Sequence, residues 1–504
     1  MPASDTLRRP VHTPVLWPFQ LCLPLCVFWL AGCAVAPAPP PMTSTVPAQW
    51  QAALPAQTTT AALAHKGSLG NLSSWWEQQN DPLLVELIMA AQTVSPSVAS
   101  ARSNIEQARA SRVASGAATL PKLDAAASLS RSRPPPVNKT SPPLASTALA
   151  DLNASWELDL SGKLAASRDA DQQRLEGSKA MWHSARVSVA AEVANQYYSL
   201  RACEKLREVA RADAASRGET ARLSALSTKA GFQAPASDAL ARASAADSHG
   251  NATAQQALCD LDIKALVALS GLDEAELRQK LARAPADPAQ DVMLPVASVP
   301  AEALAQRPDI FNAAREVDAA SAEAGAARAQ RYPRLTLSGS IATTKTLSRG
   351  AAQRFDSWTI GPLQLTVPLF DGGASKANVQ AADARYANAV AQYHASVRQA
   401  VREVEEALVK LQSTAERSGD ALTAAEGYRA SFTGTQARYT GGLASLVELE
   451  DARRTLLAAQ STVVQLQRDR RSAWVALYRA LGGGWTTDSL PPTATTDISF
   501  AVTR

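Results

Sequence analysis

The sequence predicts a mixed α/β membrane protein built from two copies of one elongated repeat. Residues 159–269 and 370–480 share landmarks at a nearly constant spacing of 211–212 positions, which a tandem duplication explains. Gly231, for example, recurs as Gly442. Each copy combines short segments of strand periodicity with a helical run too long for an ordinary globular domain. These observations favour a protein in which strands cross a membrane and long helices extend from it.

The chain begins with the features of a secreted lipoprotein. Two arginines precede an apolar stretch at 21–30 that is too short to span a bilayer, and the sequence Leu-Ala-Gly-Cys ends at Cys33. This tetrapeptide resembles a bacterial lipobox, which implies removal of signal peptide 1–32 and acylation of Cys33, for instance with palmitate. The alternative is an ordinary signal peptide with a coincidental cysteine. Ala34 favours delivery to the outer membrane, and 33–65, rich in Pro, Ala and Thr, predicts a flexible tether.

Composition limits the remaining functions. A formal charge of +4 on 504 residues, without basic clusters, gives no electrostatic reason to expect a nucleic acid partner. No segment after Cys33 has about 18 consecutive apolar residues, so we expect no membrane-spanning helix in the mature chain. Spanning segments must therefore be β-strands closed into a barrel, where every backbone group finds a partner.

Four segments alternate apolar with small or polar side chains, as strands with two unlike faces do. They lie at 123–129, 152–160, 335–341 and 358–369. Each covers about 10 residues, enough to cross a bilayer when tilted. The apolar positions change from even to odd numbers across Gly361-Pro362, which predicts a bulge there. The stretches 131–150 and 343–355 are expected to be polar loops that face outward.

Two helical runs without proline extend from Lys163 to the turn near Gly231 and from Ala374 to the turn at Gly441-Gly442. Each contains about 68 residues, or roughly 100 Å of helix. In the second run, a 3-4 spacing predicts a packing seam of Val390, Tyr393, Val397, Val401, Val404, Leu408 and Leu411. Shorter helical stretches are predicted near 82–118, 236–269, 300–331 and 444–481.

These elements imply an oligomer. Four strands cannot close a membrane barrel, because the smallest use about eight. A homotrimer with four strands per protomer predicts a 12-stranded β-barrel. Two short helices stacked end to end match one long helix, so each protomer has four helical columns. Three protomers then give a 12-helix α-barrel that can enclose a tunnel.

Short motifs follow one another along the mature chain. They are the tetrapeptide ending at Cys33, Trp75-Trp76, Asp81-Pro82-Leu83, the run from Trp156 to Lys163, Arg307-Pro308-Asp309-Ile310, Tyr332-Pro333 and the run from Pro368 to Gly373. In this order they resemble the outer membrane factor family, the TolC/OprM/NodT-type channels of export systems, in its lipoprotein branch. The resemblance implies a trimeric 12-stranded β-barrel in the outer membrane that continues into a 12-helix periplasmic α-barrel.

The resemblance also implies domain organisation and partners. The first repeat would occupy 66–270 and the second 301–484, with an equatorial connection at 271–300 and a C-terminal tail at 485–504. The implied partners are two further copies of the chain, outer-membrane lipid, a periplasmic adaptor (membrane fusion protein) and an inner-membrane transporter of the proton-driven RND type. Because the chain has no Gly-rich phosphate loop, energy must come from a partner.

The expected function is the channel of a tripartite efflux system, a porin-like route for small molecules that contributes to multidrug resistance. Three alternatives are a duct for type I protein secretion, a trimeric lipoprotein adhesin or spacer, and an enzyme. An enzyme is not expected, because the sequence has no catalytic motif of the Gly-x-Ser-x-Gly kind. Nor do the five histidines form a ligand-spaced group, so no metal site is predicted.

Glu448 and Asp451 are the candidate gate residues. They follow the turn at Gly441-Gly442, lie three apart on one helix face, and align with the two Asp positions of the family's periplasmic aperture. Three copies would place six carboxylates around one opening, where mutual repulsion should raise their pKa values and favour bound cations. The alternative is that they stabilise the N-terminal end of a helix electrostatically.

Cys203 and Cys259 are the thiols left after signal removal and acylation. Their midpoint is residue 231, so an antiparallel hairpin that turns there brings them level. A disulfide is expected, because the periplasm is oxidising. The alternative is two buried free thiols, since equal distance from a turn does not fix the rotational phase of the helices.

Overall fold

The structure, a computed structural model, describes residues 46–52, 75–133, 143–284 and 304–485. The predicted signal peptide, the acylation site Cys33 and most of the tether lie outside these residues. So do 285–300 of the predicted equatorial connection and 486–504 of the predicted tail.

Helices make up most of the described chain. In chain order they are α1 (Trp75–Gln78), α2 (Pro82–Val94), α3 (Pro96–Ala117), α4 (Lys163–Lys229), α5 (Pro235–Ser270), α6 (Glu274–Arg283), α7 (Pro308–Ala329), α8 (Ala374–Thr440) and α9 (Leu446–Ala480). Both predicted long helices are confirmed: α4 and α8 have 67 residues each. They also begin at matching positions of the two repeats, so the duplicated sequence folds into duplicated elements.

One stretch that was predicted as a single helix is interrupted in the structure. The stretch near 82–118 consists of two helices, α2 and α3, which are bent by 50° where they meet. Ser95 has an extended backbone, because the ring of Pro96 disfavours helical geometry in the residue before it. Across the described residues, no single helix is long and apolar enough to cross a membrane. The bent pair passes that test only when both are taken together, by length and composition alone.

The four predicted strands are confirmed and form one antiparallel sheet in the order β1-β2-β3-β4. They are β1 (Lys122–Ser132), β2 (Ala145–Leu158), β3 (Arg334–Ser348) and β4 (Ala351–Thr366). The expected loop at 131–150 is too long, since β1 continues to Ser132 and β2 begins at Ala145. The expected long loop at 343–355 is wrong, since β3 and β4 continue to a two-residue turn. Arg349 and Gly350 have φ values of 52° and 81° there, as a tight hairpin turn requires.

The register places the alternating apolar residues on one face of the sheet. Leu152, for example, lies opposite both Ala125 and Ile341, and Ile341 lies opposite Trp358. The large apolar side chains of this face are mostly exposed. The side chains of the other face are mostly Ser, Thr, Asn and Asp. The predicted bulge is confirmed: the register shifts between Leu337 and Gly339, opposite the Gly361-Pro362 step.

The chain divides into two compact units. The first includes Ala114–Asp169 and Ser321–Asp383, and therefore contains the sheet. The second includes Met42–Val113, Ala170–Ala320 and Ala384–Arg504, and it contains the main hydrophobic core. Most of the predicted seam of α8 is confirmed, because Val397, Val404, Leu408 and Leu411 are buried. Burial of such a helical stripe is what holds long helices together, since helix propensity alone contributes little.

Candidate functional site

The two long helical hairpins turn through the same backbone motif. Gly231 ends α4 with a φ of 80°, and Gly442 ends α8 with a φ of 72°, a conformation that favours glycine. In the first turn, Phe232 N–H donates to the Ser227 carbonyl and Gly231 N–H to the Thr228 carbonyl. The second turn has the same two hydrogen bonds from the matching residues. Both helices therefore end in a Schellman motif, as the duplicated sequence predicts.

Each turn presents an apolar side chain to solvent. Phe232 is 87 % exposed, and Leu443, at the matching position of the second repeat, is 74 % exposed. Val447, in the first turn of α9, is also exposed. Large apolar side chains exposed together in two equivalent turns indicate a surface that contacts another molecule.

Glu448 is held at the N-terminal end of α9. The Ser445 N–H donates to its carboxylate at 2.8 Å, and the Glu448 N–H donates to the Ser445 hydroxyl at 3.2 Å, which is a capping box. The backbone hydrogen bond from Ser445 lowers the pKa of Glu448 below its ordinary value. Within one protomer this is opposite to the upward shift expected for a carboxylate ring, because here donors and not other carboxylates surround the group.

Asp451 has a different partner. Its carboxylate forms an ion pair with Arg454, one helical turn along α9, and both side chains are exposed. The structure therefore gives Glu448 and Asp451 separate contacts at the start of α9 and leaves both facing solvent.

A buried cluster of ion pairs lies behind these exposed carboxylates. Arg453 of α9 is 2 % exposed, and its guanidinium lies 2.6 Å from Glu450 and 3.8 Å from Asp213 of α4. Arg217 of α4 pairs with Asp213 at 2.9 Å and also with Glu450. Two arginines and two carboxylates thus neutralise one another between α4 and α9, as burial of charge demands.

Neighbouring helices supply the remaining contacts of this buried cluster. Arg453 donates to the hydroxyls of Ser216 and Thr220 at 3.1 and 3.3 Å. It also lies over the Phe432 ring of α8, 5.5 Å from the ring centre. Arg217 donates to Ser244 of α5. Burial lowers the pKa of Arg453, while the Glu450 carboxylate opposes that shift. The cluster therefore joins all four helices of the two hairpins.

Sequence reasoning missed Arg453 and Arg217. Glu450 and Arg453 are three apart, and Asp213 and Arg217 are four apart, so helix spacing alone could have indicated each local pair. No sequence pattern indicates that the two pairs meet, because that depends on how α4 and α9 pack.

Cys203 of α4 and Cys259 of α5 are bonded in the structure. Their sulfur atoms are 2.17 Å apart and their Cα atoms 5.5 Å apart. Both side chains are buried. The bond ties the α4–α5 hairpin together, whereas the matching positions of the second repeat are Thr414 and Arg471, which cannot form one.

No histidine, cysteine and carboxylate group suited to a metal ion occurs among the described residues. His183 of α4 is partly buried and held in its neutral form. Burial, followed by the charge of Arg186, lowers its pKa from 6.5 to about 4, and its side chain bonds to the backbone of Gly483. A neutral imidazole fixed in this way serves packing between α4 and the segment after α9.

Known proteins are similar to this chain over most of its length. A family model described as outer membrane efflux protein matches residues 87–275 and 299–483. The pyoverdine export outer membrane protein OpmQ of Pseudomonas putida is 31% identical over 487 residues, covering 94% of this chain and 99% of that protein. The outer membrane protein OprJ of Pseudomonas aeruginosa is 30% identical over 470 residues, covering 90% and 94%.

A solved structure is also similar to this chain. The outer membrane protein VceC of Vibrio cholerae aligns with a TM-score of 0.71 and 28% identity, covering 82% of this chain and 99% of that one. The family match covers well over half of the chain and includes both hairpins and all four strands. The chain therefore belongs to the outer membrane efflux protein family.

Proposed function

We propose that three copies of the chain form a gated tunnel that passes small molecules from a periplasmic adaptor and an inner-membrane transporter to the exterior. The observation that carries this proposal is the sheet. It has one apolar face and leaves β1 and β4 as edge strands, which need partners in a bilayer. Pairing β4 of one copy with β1 of the next closes a 12-stranded barrel, because each protomer supplies four strands.

The helices would form the periplasmic part of this tunnel. α4 and α8 would be full-length columns, and the shorter helices, stacked in pairs, would make two more, so a trimer would have 12 columns. The lipid-anchored form, with Cys33 acylated, would add a membrane attachment outside the barrel. A relative is named solvent efflux pump outer membrane protein SrpC of Pseudomonas putida, which supports a small-molecule cargo. The transporter is proposed to be of the RND type.

The hairpin tips are the proposed contact with the adaptor. Phe232 and Leu443 lie in equivalent turns and are mostly exposed. In a trimer they would form a ring of six apolar side chains, which an adaptor with matching apolar tips would cover. The same end of the tunnel would carry the gate. Glu448 and Asp451 of three copies would surround the opening, and the buried cluster around Arg453 would hold the four helices in the closed arrangement.

A strain that lacks the chain tests this function. We expect increased intracellular accumulation of dyes and antibiotics, reversed by the wild-type protein but not by Phe232→Asp/Leu443→Asp. Leu226→Asp, an exposed site one turn before the first tip, is the matched control and should restore export. Cross-linking would show trimers of all three proteins and an adaptor contact only for wild type and control. Unchanged accumulation together with a protein missing from the medium would instead indicate a protein-secretion duct.

A further inference from the structure

The apolar face of the sheet carries three basic side chains near one end. Lys345 of β3 lies directly opposite Arg354 of β4 and, on its other side, opposite Ala148 of β2. Ala148 lies opposite Leu129 of β1, and Arg131 is the next residue of β1 on this face. All three bases lie where the strands approach the two hairpin connections.

These three bases are only partly balanced by acids. Arg354 pairs with Asp356 at 3.1 Å. Within the strands and turns that the structure describes, Lys345 and Arg131 form no ion pair. The group of three bases and one acid therefore has an excess of positive charge. Like charges directly opposite each other weaken a sheet, and an anion bound between Lys345 and Arg354 would relieve that repulsion.

A groove with an apolar floor runs beside the bases. Two adjoining depressions of about 530 and 490 Å³ share Leu129, Ala148 and Lys345. The first is lined by three alanines, two leucines, Ser128, Thr343 and the two bases Lys345 and Arg354. Open depressions that combine small and apolar side chains with cationic groups suit an acyl chain with an anionic head.

We propose that this basic groove binds the phosphate groups of lipopolysaccharide, the phosphorylated and multiply acylated glycolipid of the outer leaflet. The inference rests on the proposed insertion of the sheet in the outer membrane. The strand ends at Leu158 and Thr366 lead towards the long helices, so the opposite ends, which carry the bases, face the exterior. Basic side chains on a lipid-facing surface are tolerated near the interface, where Arg and Lys bind phosphate.

The first test is native mass spectrometry of the full-length trimer purified from outer membranes. We expect bound lipid A on the wild-type protein and a loss of at least about tenfold in its apparent affinity for Arg131→Gln/Lys345→Gln/Arg354→Gln. Lys345→Gln alone, which removes one charge and is less prone to misfold, should lose about fivefold. The matched control is Lys122→Gln/Arg334→Gln, which removes two basic residues from the other ends of β1 and β3 and should bind as wild type does.

Competing ligands identify the source of the phosphate. Added lipid A should bind, and enzymatically dephosphorylated lipid A should not. Equal binding of either the dephosphorylated form or the charge variants would overturn the proposal. Displacement by inorganic phosphate, or equal binding of phosphatidylglycerol, would also overturn it, because the site would then select an anion or a phospholipid. Export measured in the same variants separates this inference from the proposed function, which fails only if wild type does not restore export or does not reside in the outer membrane.

Discussion

Arg453 of α9, which is almost fully buried, has its guanidinium 3.8 Å from the carboxylate of Asp213 on α4. This contact connects the second helical hairpin to the first through side chains that are otherwise screened from water. Because Glu450 and Arg217 complete the charge balance, removal of one member leaves an uncompensated charge in the protein interior.

Arg453→Met should therefore weaken the junction of the two hairpins. The substitution keeps much of the apolar stem and removes the charge, and loss of one partner from a buried ion network typically costs about 3–5 kcal/mol. We expect a lower thermal midpoint of the trimer and a larger single-channel conductance at rest. Arg454→Met is the control, because that side chain is 77 % exposed and should change neither quantity. Equal conductance of wild type and Arg453→Met would show that the buried cluster does not help to keep the channel closed.

Cys203→Ser/Cys259→Ser should destabilise the α4–α5 hairpin. The bond encloses a sequence separation of 56 residues, and loss of a disulfide typically costs about 2–4 kcal/mol of unfolding free energy. The expected result is a lower denaturation midpoint for the variant. A reducing agent should lower the midpoint of the wild type to the same extent and leave that of the variant unchanged. Thiol alkylation of the unreduced, denatured wild-type protein should label neither Cys203 nor Cys259. Labelling of both would show that the thiols are free.

Tyr197→Phe should weaken the attachment of α2 to α4. The Tyr197 hydroxyl donates to Asp81 at 2.7 Å, and Asp81 in turn caps α2 by accepting from the Leu84 N–H. Burial and this carboxylate raise the pKa of Tyr197, so the hydroxyl stays protonated as a donor. Removing it leaves a buried carboxylate short of a partner, at about 1–3 kcal/mol. Urea denaturation measures the change, and Tyr332→Phe, a half-exposed tyrosine, should leave the midpoint unchanged.

His183 should make the protein less stable in mild acid. Its pKa is about 4 in the fold against 6.5 for an unperturbed histidine, so the unfolded chain binds a proton that the folded chain excludes. The stability contributed by neutral His183 is therefore complete above about pH 6.5 and is lost as the pH falls towards about 4. We expect His183→Gln to reduce the slope of the unfolding free energy in that window. An unchanged slope in His183→Gln would contradict the assignment.

Much of the fold followed from local periodicity. The four strands were predicted from alternation alone, because a sheet with two unlike faces imposes a period of two on its sequence. The turn at Arg349-Gly350 was missed, since Thr-rich strand ends resemble polar loops in composition. The break at Pro96 was also missed. One helical pattern continues on both sides of it, but Pro96 itself disfavours helical geometry at Ser95, which is extended in the structure.

The sequence by itself determined the repeat, the lengths of α4 and α8, and the two glycine turns, because each depends on spacing or backbone preference that neighbouring residues specify. Only the tertiary structure decided which charged residues are buried together. Glu448, Glu450 and Asp451 lie within four positions, yet Glu450 alone points into the helix junction towards Arg217, while the other two face solvent. That choice depends on the rotational phase of α9 against α4, which is set by packing of the whole helix and not by any short segment of it.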